Sequence, residues 1–253
     1  MSVQPGTLFC ADSAPVIYRE RFTPASARLQ YLTCGEFEIE PGAATAEITY
    51  AEEEALLFGW RGRACVDLAG RSWPLNPYDM LYLPKGAPFH IVNDADETLR
   101  LWVARAPAAN VHPPHLAEFA RVSADEARIR RLKGKDVYLM FDVNEKADKL
   151  VAGYTFFQPH ARSWPPHNHI DQEEVYIFIK GHGSMEVYES PETLTFVHNV
   201  GEGDAVTIPF LNYHPVFSQE SPLEFIWCIA GARYWVGDKN KDFMSGGASS
   251  ITT

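Results

Sequence analysis

Short apolar or alternating runs recur along the chain between turn-forming residues. They include 55–60 (ALLFGW), 63–68 (RACVDL), 79–84 (DMLYLP), 99–104 (LRLWVA), 137–141 (VYLMF), 152–157 (AGYTFF), 174–179 (EVYIFI), 184–189 (SMEVYE), 204–209 (DAVTIP) and 223–231 (LEFIWCIAG). Each has strand length and is rich in β-branched and aromatic side chains, which suit a pleated surface better than a helix. Many short strands of this kind predict an all-β fold, a sandwich or a barrel. One segment differs. SADEARIRRLK (123–133) is predicted as a short connecting helix, with Ser123 as N-cap and Glu126 placed as in a capping box. The Ala- and Pro-rich stretch 104–122 is predicted as a connector, and the polar tail 245–253 as poorly ordered.

The pattern also repeats. WRGRACVDL (60–68) followed by NPYDMLYLPKGAPFHIV (76–92) matches GHGSMEVYE (181–189) followed by GEGDAVTIPFLNYHPV (201–216). Setting Gly62 against Gly183 aligns the hairpins, matches Tyr78–Pro84 with Gly203–Pro209, and brings His90 within one residue of His214. Two tandem β-rich halves, 1–121 and 122–253, follow from this.

Charge narrows the partners. The 253 residues carry 22 Lys+Arg against 33 Asp+Glu, a formal net charge of −11. An acidic chain with no basic run is a poor ligand for nucleic acid, and no apolar stretch approaches the ~18 residues of a membrane span. The first fifteen residues lack the basic and apolar regions of a signal peptide, which predicts a cytoplasmic protein. The four cysteines (Cys10, Cys34, Cys65, Cys228) are too widely and irregularly spaced for a disulfide framework or a Cys-based zinc site, and Cys228 is expected simply to be buried.

The candidate chemistry lies in the second half. His167 and His169 stand two residues apart, so a strand would turn both imidazoles to one face. Glu174 follows, then Gly181, and later Gly203, Pro209 and His214. Three neutral imidazoles and one carboxylate suit one borderline divalent metal ion per chain: zinc first, or Mn, Fe, Co or Ni. Strand alternation and the spacing to Gly181 favour Glu174 over Glu173, which is expected to be a solvated surface carboxylate, as Lys180 is expected to be a solvated turn residue. His112 and His115, in HPPH, are expected in a loop. At the offset set by Gly62 and Gly183, the first half places Ala46, Ile48 and Glu53 opposite His167, His169 and Glu174, so it is expected to hold no metal.

The pattern His-x-His-x4-Glu-x6-Gly followed by Gly-x5-Pro-x4-His resembles the two-motif signature of the cupin barrel. It departs at Leu211, where that family often has Gly, and at Ser218, where it often has Asn. The resemblance implies two tandem jelly-roll-like cupin barrels in one chain, a bicupin. RRLKGKDVYLMF, AGYTFFQPHARSWPPHNH, EEVYIF, LNYHPV and FIWCIAGARYW together resemble the bicupin uronate isomerases. That family includes 5-deoxy-glucuronate isomerase of myo-inositol catabolism, whose product is 5-dehydro-2-deoxy-gluconate. It also includes 4-deoxy-L-threo-5-hexosulose-uronate ketol-isomerase of pectin breakdown. PPHNH and YHPV are similar to the first, EVYIF and FIWCIAG to the second.

The resemblance implies an aldose–ketose isomerase acting on a small anionic sugar, with His167, His169, Glu174 and His214 as metal ligands, and a homo-oligomer, dimer or higher. Proton transfer between neighbouring carbons calls for a carboxylate, His or Tyr; the candidates are Tyr176, Tyr213 and Glu186. A substrate carboxylate calls for a cation, with Arg162 and Arg233 best placed by sequence. The 5-deoxy-glucuronate activity is the first expectation. The alternatives are the hexosulose-uronate activity, a cupin dioxygenase, or a non-catalytic sugar-binding bicupin.

Overall fold

The structure, a computed structural model, describes residues 16–234. Cys10 and the tail 245–253 lie outside the described residues. The chain forms two compact units. Among the described residues, the first takes 16–26, Tyr31–Arg121 and Asn144–Leu150; the second takes Ala27–Gln30, Val122–Val143 and 151–234. Both are built from antiparallel strands, and the fold is all-β. Among the described residues no helix is long and apolar enough to cross a membrane.

The strands of the first unit are β1 (Val16–Phe22), β2 (Thr33–Ile39), β3 (Glu53–Arg61), β4 (Ala64–Leu68), β5 (Arg71–Leu75), β6 (Met80–Leu83), β7 (Phe89–Val92), β8 (Leu99–Pro107) and β9 (His115–Ala117). They form a six-stranded sheet, β1-β2-β8-β3-β6-β9, and a three-stranded sheet, β5-β4-β7. Alternate residues, among them Leu57, Val66, Leu81, Phe89, Leu101 and Val103, build one buried core. His112 is in a loop as expected, but His115 opens β9 and pairs with Tyr82. Here the edge of β6 offers a ladder that a Pro-flanked histidine pair does not advertise.

The second unit contains β10 (Ile129–Leu132), β11 (Lys135–Phe141), β12 (Leu150–Phe157), β13 (Gln172–Lys180), β14 (His182–Ser190), β15 (Thr193–Gly201), β16 (Ala205–Ile208), β17 (Val216–Ser218) and β18 (Leu223–Gly231). Their sheets are β10-β11-β12-β18-β13-β16 and β15-β14-β17. Cys228 is fully buried on β18. Gly153 on β12 is required by close packing: a Cβ there would lie 2.0 Å from the Tyr138 carbonyl and 2.4 Å from the Trp227 ring.

The helix expected at 123–133 is absent. Only Glu126–Arg128 form a single 3-10 turn, capped by Asp125 rather than Ser123, with the Asp125 side chain accepting from Ala127 N–H. From Ile129 the chain pairs with β11, Arg130 opposite Val137 and Leu132 opposite Lys135. Gly134, at φ +74°, turns the hairpin, and the Arg128 guanidinium donates to the carbonyls of Leu139 and Met140. The ladder gives these residues partners that an isolated three-turn helix lacks.

The ladders also correct the repeat register. Ala55 pairs with Leu83 where Glu174 pairs with Ile208. Gly62 and Gly181, at φ +74° and +79°, occupy the same turn after β3 and β13. The offset there is therefore 119 (181 − 62), not 121. Gly86 N–H donates to Tyr50 O where Leu211 N–H donates to His169 O. The first-unit residues matching His167, His169, Glu174 and His214 are thus Ile48, Tyr50, Ala55 and Phe89. His90 points elsewhere, 3.9 Å from Glu47.

Candidate metal centre

His167 and His169 lie on an extended segment outside the named strands, not on a ladder strand as the spacing predicted. The preceding Pro165 and Pro166 have no N–H to give a ladder. The segment is instead pinned by Leu211, whose N–H donates to His169 O at 2.8 Å and whose carbonyl accepts from Asn168 Nδ2 at 2.8 Å. Leu211 takes φ +64° to do this, a backbone region that favours glycine. Glu174 comes from β13, and His214 from the turn before β17.

The three imidazoles converge, with a potential ligand atom from each within 4.8 Å of the others. Glu174 Oε2 lies 3.0 Å from His214 Nε2 and 3.5 Å from His169 Nε2. His214 Nδ1 lies 2.9 Å from the Asn212 carbonyl. A carbonyl only accepts, so Nδ1 carries the proton and Nε2 keeps its lone pair for the centre. Tyr234 OH lies 3.5 Å from His169 Nδ1. The contacts among the ligand atoms are close but misaligned for hydrogen bonding. His169 Nε2, His214 Nε2 and Glu174 Oε2 are buried with no hydrogen-bond partner. Orphaned polar atoms of this kind are costly unless something fills the space between them, and their donor set fits a divalent metal.

With this geometry, the family assignment rests on more than spacing. A family model described as the KduI/IolB family matches residues 12–244. The chain belongs to the KduI/IolB family. This is a family of isomerases on the cupin fold, and the match spans both units. Among curated relatives of the KduI/IolB chain, a 4-deoxy-L-threo-5-hexosulose-uronate ketol-isomerase of Cereibacter sphaeroides is 26% identical over 208 residues, 77% of this chain and 71% of the relative. One from Opitutus terrae is 25% identical over 172 residues, 66% of this chain and 62% of the relative. A solved IolB-like protein from Salmonella typhimurium superposes with a TM-score of 0.73 at 21% identity, covering 86% of this chain and 90% of that one.

The remaining candidates of this KduI/IolB chain separate. Tyr176, two residues after Glu174 on the same face of β13, lines the chamber of the centre, its ring 5.5 Å from that of His214. Tyr213 packs instead with Tyr188 and Trp164 in a cluster of its own. Glu186 leaves the inward face that Met185 and Val187 occupy and accepts from Tyr188 OH at 2.6 Å. Arg162 is exposed, 5.3 Å over the Trp164 ring. Arg233 donates to Asp142 O at 2.6 Å and does not line the chamber.

One further expectation fails. Glu173 is buried, not solvated, and its Oε2 accepts from Gln30 N–H at 2.6 Å. Lys180 is exposed as expected, at the end of β13 beside the Gly181 turn, and pairs with Glu224 at 2.9 Å. The sequence reading missed Arg130, Lys135, Thr155 and Trp227, which line the chamber with the histidines. Reading 129–138 as a hairpin that turns at Lys133-Gly134, with Leu132 opposite Lys135, puts Arg130 and Lys135 on one face.

Proposed function

We propose that the chain is a metal-dependent ketol-isomerase acting on a six-carbon uronate, with 4-deoxy-L-threo-5-hexosulose uronate as substrate. The curated relatives, at 25–27% identity, support that substrate by their names. The observation that carries the metal-dependent reading is the convergence of buried, unpartnered His169 Nε2, His214 Nε2 and Glu174 Oε2 beside His167. Zinc suits the set, and Mn, Fe, Co or Ni would also be held. When bound, the metal supplies Lewis-acid polarisation of a carbonyl and its neighbouring hydroxyl.

The chain's own residues orient the sugar and stabilise the charge that develops on it. Burial first, and the Glu174 charge second, push the Tyr176 phenol well above its ordinary range. Tyr176 therefore keeps its proton at neutral pH and donates to the oxygen on which negative charge develops. The hydroxyls of Thr155 and Ser163 line the chamber as partners for sugar hydroxyls, and Phe225 and Trp227 exclude water from it.

The test is elemental analysis of purified protein coupled to assays on both uronates. About one divalent ion per chain is expected, with faster conversion of the hexosulose uronate. A second reading, 5-deoxy-glucuronate as substrate, is favoured by PPHNH (165–169) and YHPV (213–216); faster turnover of that sugar would select it. Tyr176→Phe should keep its metal and lose roughly 100-fold or more in kcat. An unchanged kcat would remove Tyr176 from the mechanism.

A further inference from the structure

The chamber does not end at the metal ligands. It measures about 50 Å³, and a hollow of about 320 Å³ adjoins it, the two sharing Arg130, Leu132, Lys135, Ser163 and His167. The hollow adds Lys133 and Arg162. Among the described residues lining these two spaces, Glu174 is the only carboxylate.

The cations come from one hairpin face. Arg130 opposite Val137, and Leu132 opposite Lys135, are cross-strand pairs of β10 and β11, and all four side chains line the chamber. Arg131, on the other face, is neutralised by Glu126 at 2.6 Å and Asp136 at 2.7 Å. Arg130 has no such neutralisation. Half-buried, it makes no side-chain hydrogen bond or ion pair among the described residues, and the charge of buried Asp142 acts on it only from a distance. Lys135 lies 5.1 Å over the Phe157 ring. A guanidinium held in a cavity with its donors unspent is pre-organised for a planar anion.

Resting on the isomerase reading above, we propose that Arg130, supported by Lys135, binds the carboxylate of the sugar acid and sets its specificity for uronates over neutral sugars. The aldehyde end then reaches the chamber of His167, His169 and Glu174, with the chain of hydroxyls lying in the adjoining hollow. Arg162, exposed and stacked on Trp164, and Arg233, committed to the Asp142 carbonyl, are not the carboxylate's primary partners.

The test uses the metal-loaded protein and its Arg130→Met, Arg130→Lys, Lys135→Met and Arg131→Met variants. Binding of D-glucuronate and of D-glucose is measured by calorimetry, alongside metal content and the kinetic constants for the turned-over uronate. Arg130→Met should weaken D-glucuronate binding and raise KM by about 10- to 100-fold. Its metal content should be unchanged, and its kcat should move far less. Arg130→Lys should recover part of the loss, Lys135→Met should show a smaller one, and Arg131→Met, on the opposite face of the hairpin, should stay within about twofold of wild type.

Wild-type KM and D-glucuronate affinity in both Arg130 variants would overturn the proposal, as would wild-type protein that does not distinguish D-glucuronate from D-glucose. Failure of the isomerase reading looks different: Arg130-dependent binding of D-glucuronate by a protein that interconverts neither uronate.

Discussion

Single side chains decide what the centre can hold. Glu174 and the orphaned imidazole nitrogens of His169 and His214 form a set that is costly when empty. Glu174→Gln keeps the shape and loses the charge, so metal retained after gel filtration should fall at least about tenfold, as read by elemental analysis. Leu211 is the second decisive residue. It holds φ +64° with half its surface exposed, at the position that Gly86 fills in the first unit. Glycine there relieves roughly 1–2 kcal/mol of backbone strain against about 0.4–1 kcal/mol of added unfolded-chain entropy. Leu211→Gly should leave urea stability equal or up to ~1 kcal/mol higher, and Leu211→Val should lower it by ~1 kcal/mol or more. The convergence of His167, His169, Glu174 and His214 was legible because it follows from their spacing along the chain. Tyr176 was legible as well, two residues from Glu174, but Tyr213 and Glu186 fall outside the chamber and Arg130 was missed, because which inward residue reaches a chamber depends on neighbours far away in sequence.

At the scale of elements, backbone segments are tied down by buried carboxylates. Glu54 accepts the N–H groups of Asp148, Lys149 and Leu150 and the hydroxyl of Tyr82, all within 3.0 Å. Glu54→Ala orphans these four donors and should cost about 3 kcal/mol or more by chemical denaturation. The next link, Asp148, receives the N–H groups of Ala109 and Asn110, the Asn110 amide and His112 Nε2. Burial acts to raise its carboxyl, but these donors hold it well below the usual range. A depressed folded value contributes stability above the unfolded value of ~3.9, and that contribution is lost as pH falls below it. The urea midpoint should therefore drop from about pH 5 downward, and Asp148→Asn should flatten that slope. Strands β3, β6, β8, β13 and β18 were legible from their apolar runs. The β10–β11 hairpin was hidden because Ile129 and Leu132 stand at a helical spacing of three.

For the whole molecule, the proposed metal would link binding to stability. A ligand that binds only the folded state adds about 2.7 kcal/mol at 100 times its dissociation constant. EDTA should lower the melting temperature of the wild-type protein, and His167→Ala combined with His214→Ala should abolish both that response and turnover. Full isomerase activity in the metal-stripped double variant would sink the mechanism. The net charge of −11 rules against polyanions, yet the chamber gathers Arg130, Lys135 and a site for a dication inside an acidic chain. Composition reports the surface average and carries no information about such a local inversion. The repeat was visible as hairpins and glycines, but its register was not, because two glycines two residues apart, Gly181 in the turn and Gly183 on β14, fit the alignment equally well.

The two units share a frame and differ in what fills it. The Tyr50 and Phe89 rings stand 5.5 Å apart where those of His169 and His214 stand 5.6 Å apart. At the neighbouring position on the other face of the strand, both units keep a buried carboxylate, Glu54 and Glu173, that accepts backbone N–H groups. A duplicated barrel can thus give up its reagents while retaining its staples. For protein engineering, the first unit is a vacated socket: four side-chain replacements at 48, 50, 55 and 89 would address a second centre without rebuilding a loop. The obstacle is the bulk of one phenol and one phenyl ring rather than the path of the chain.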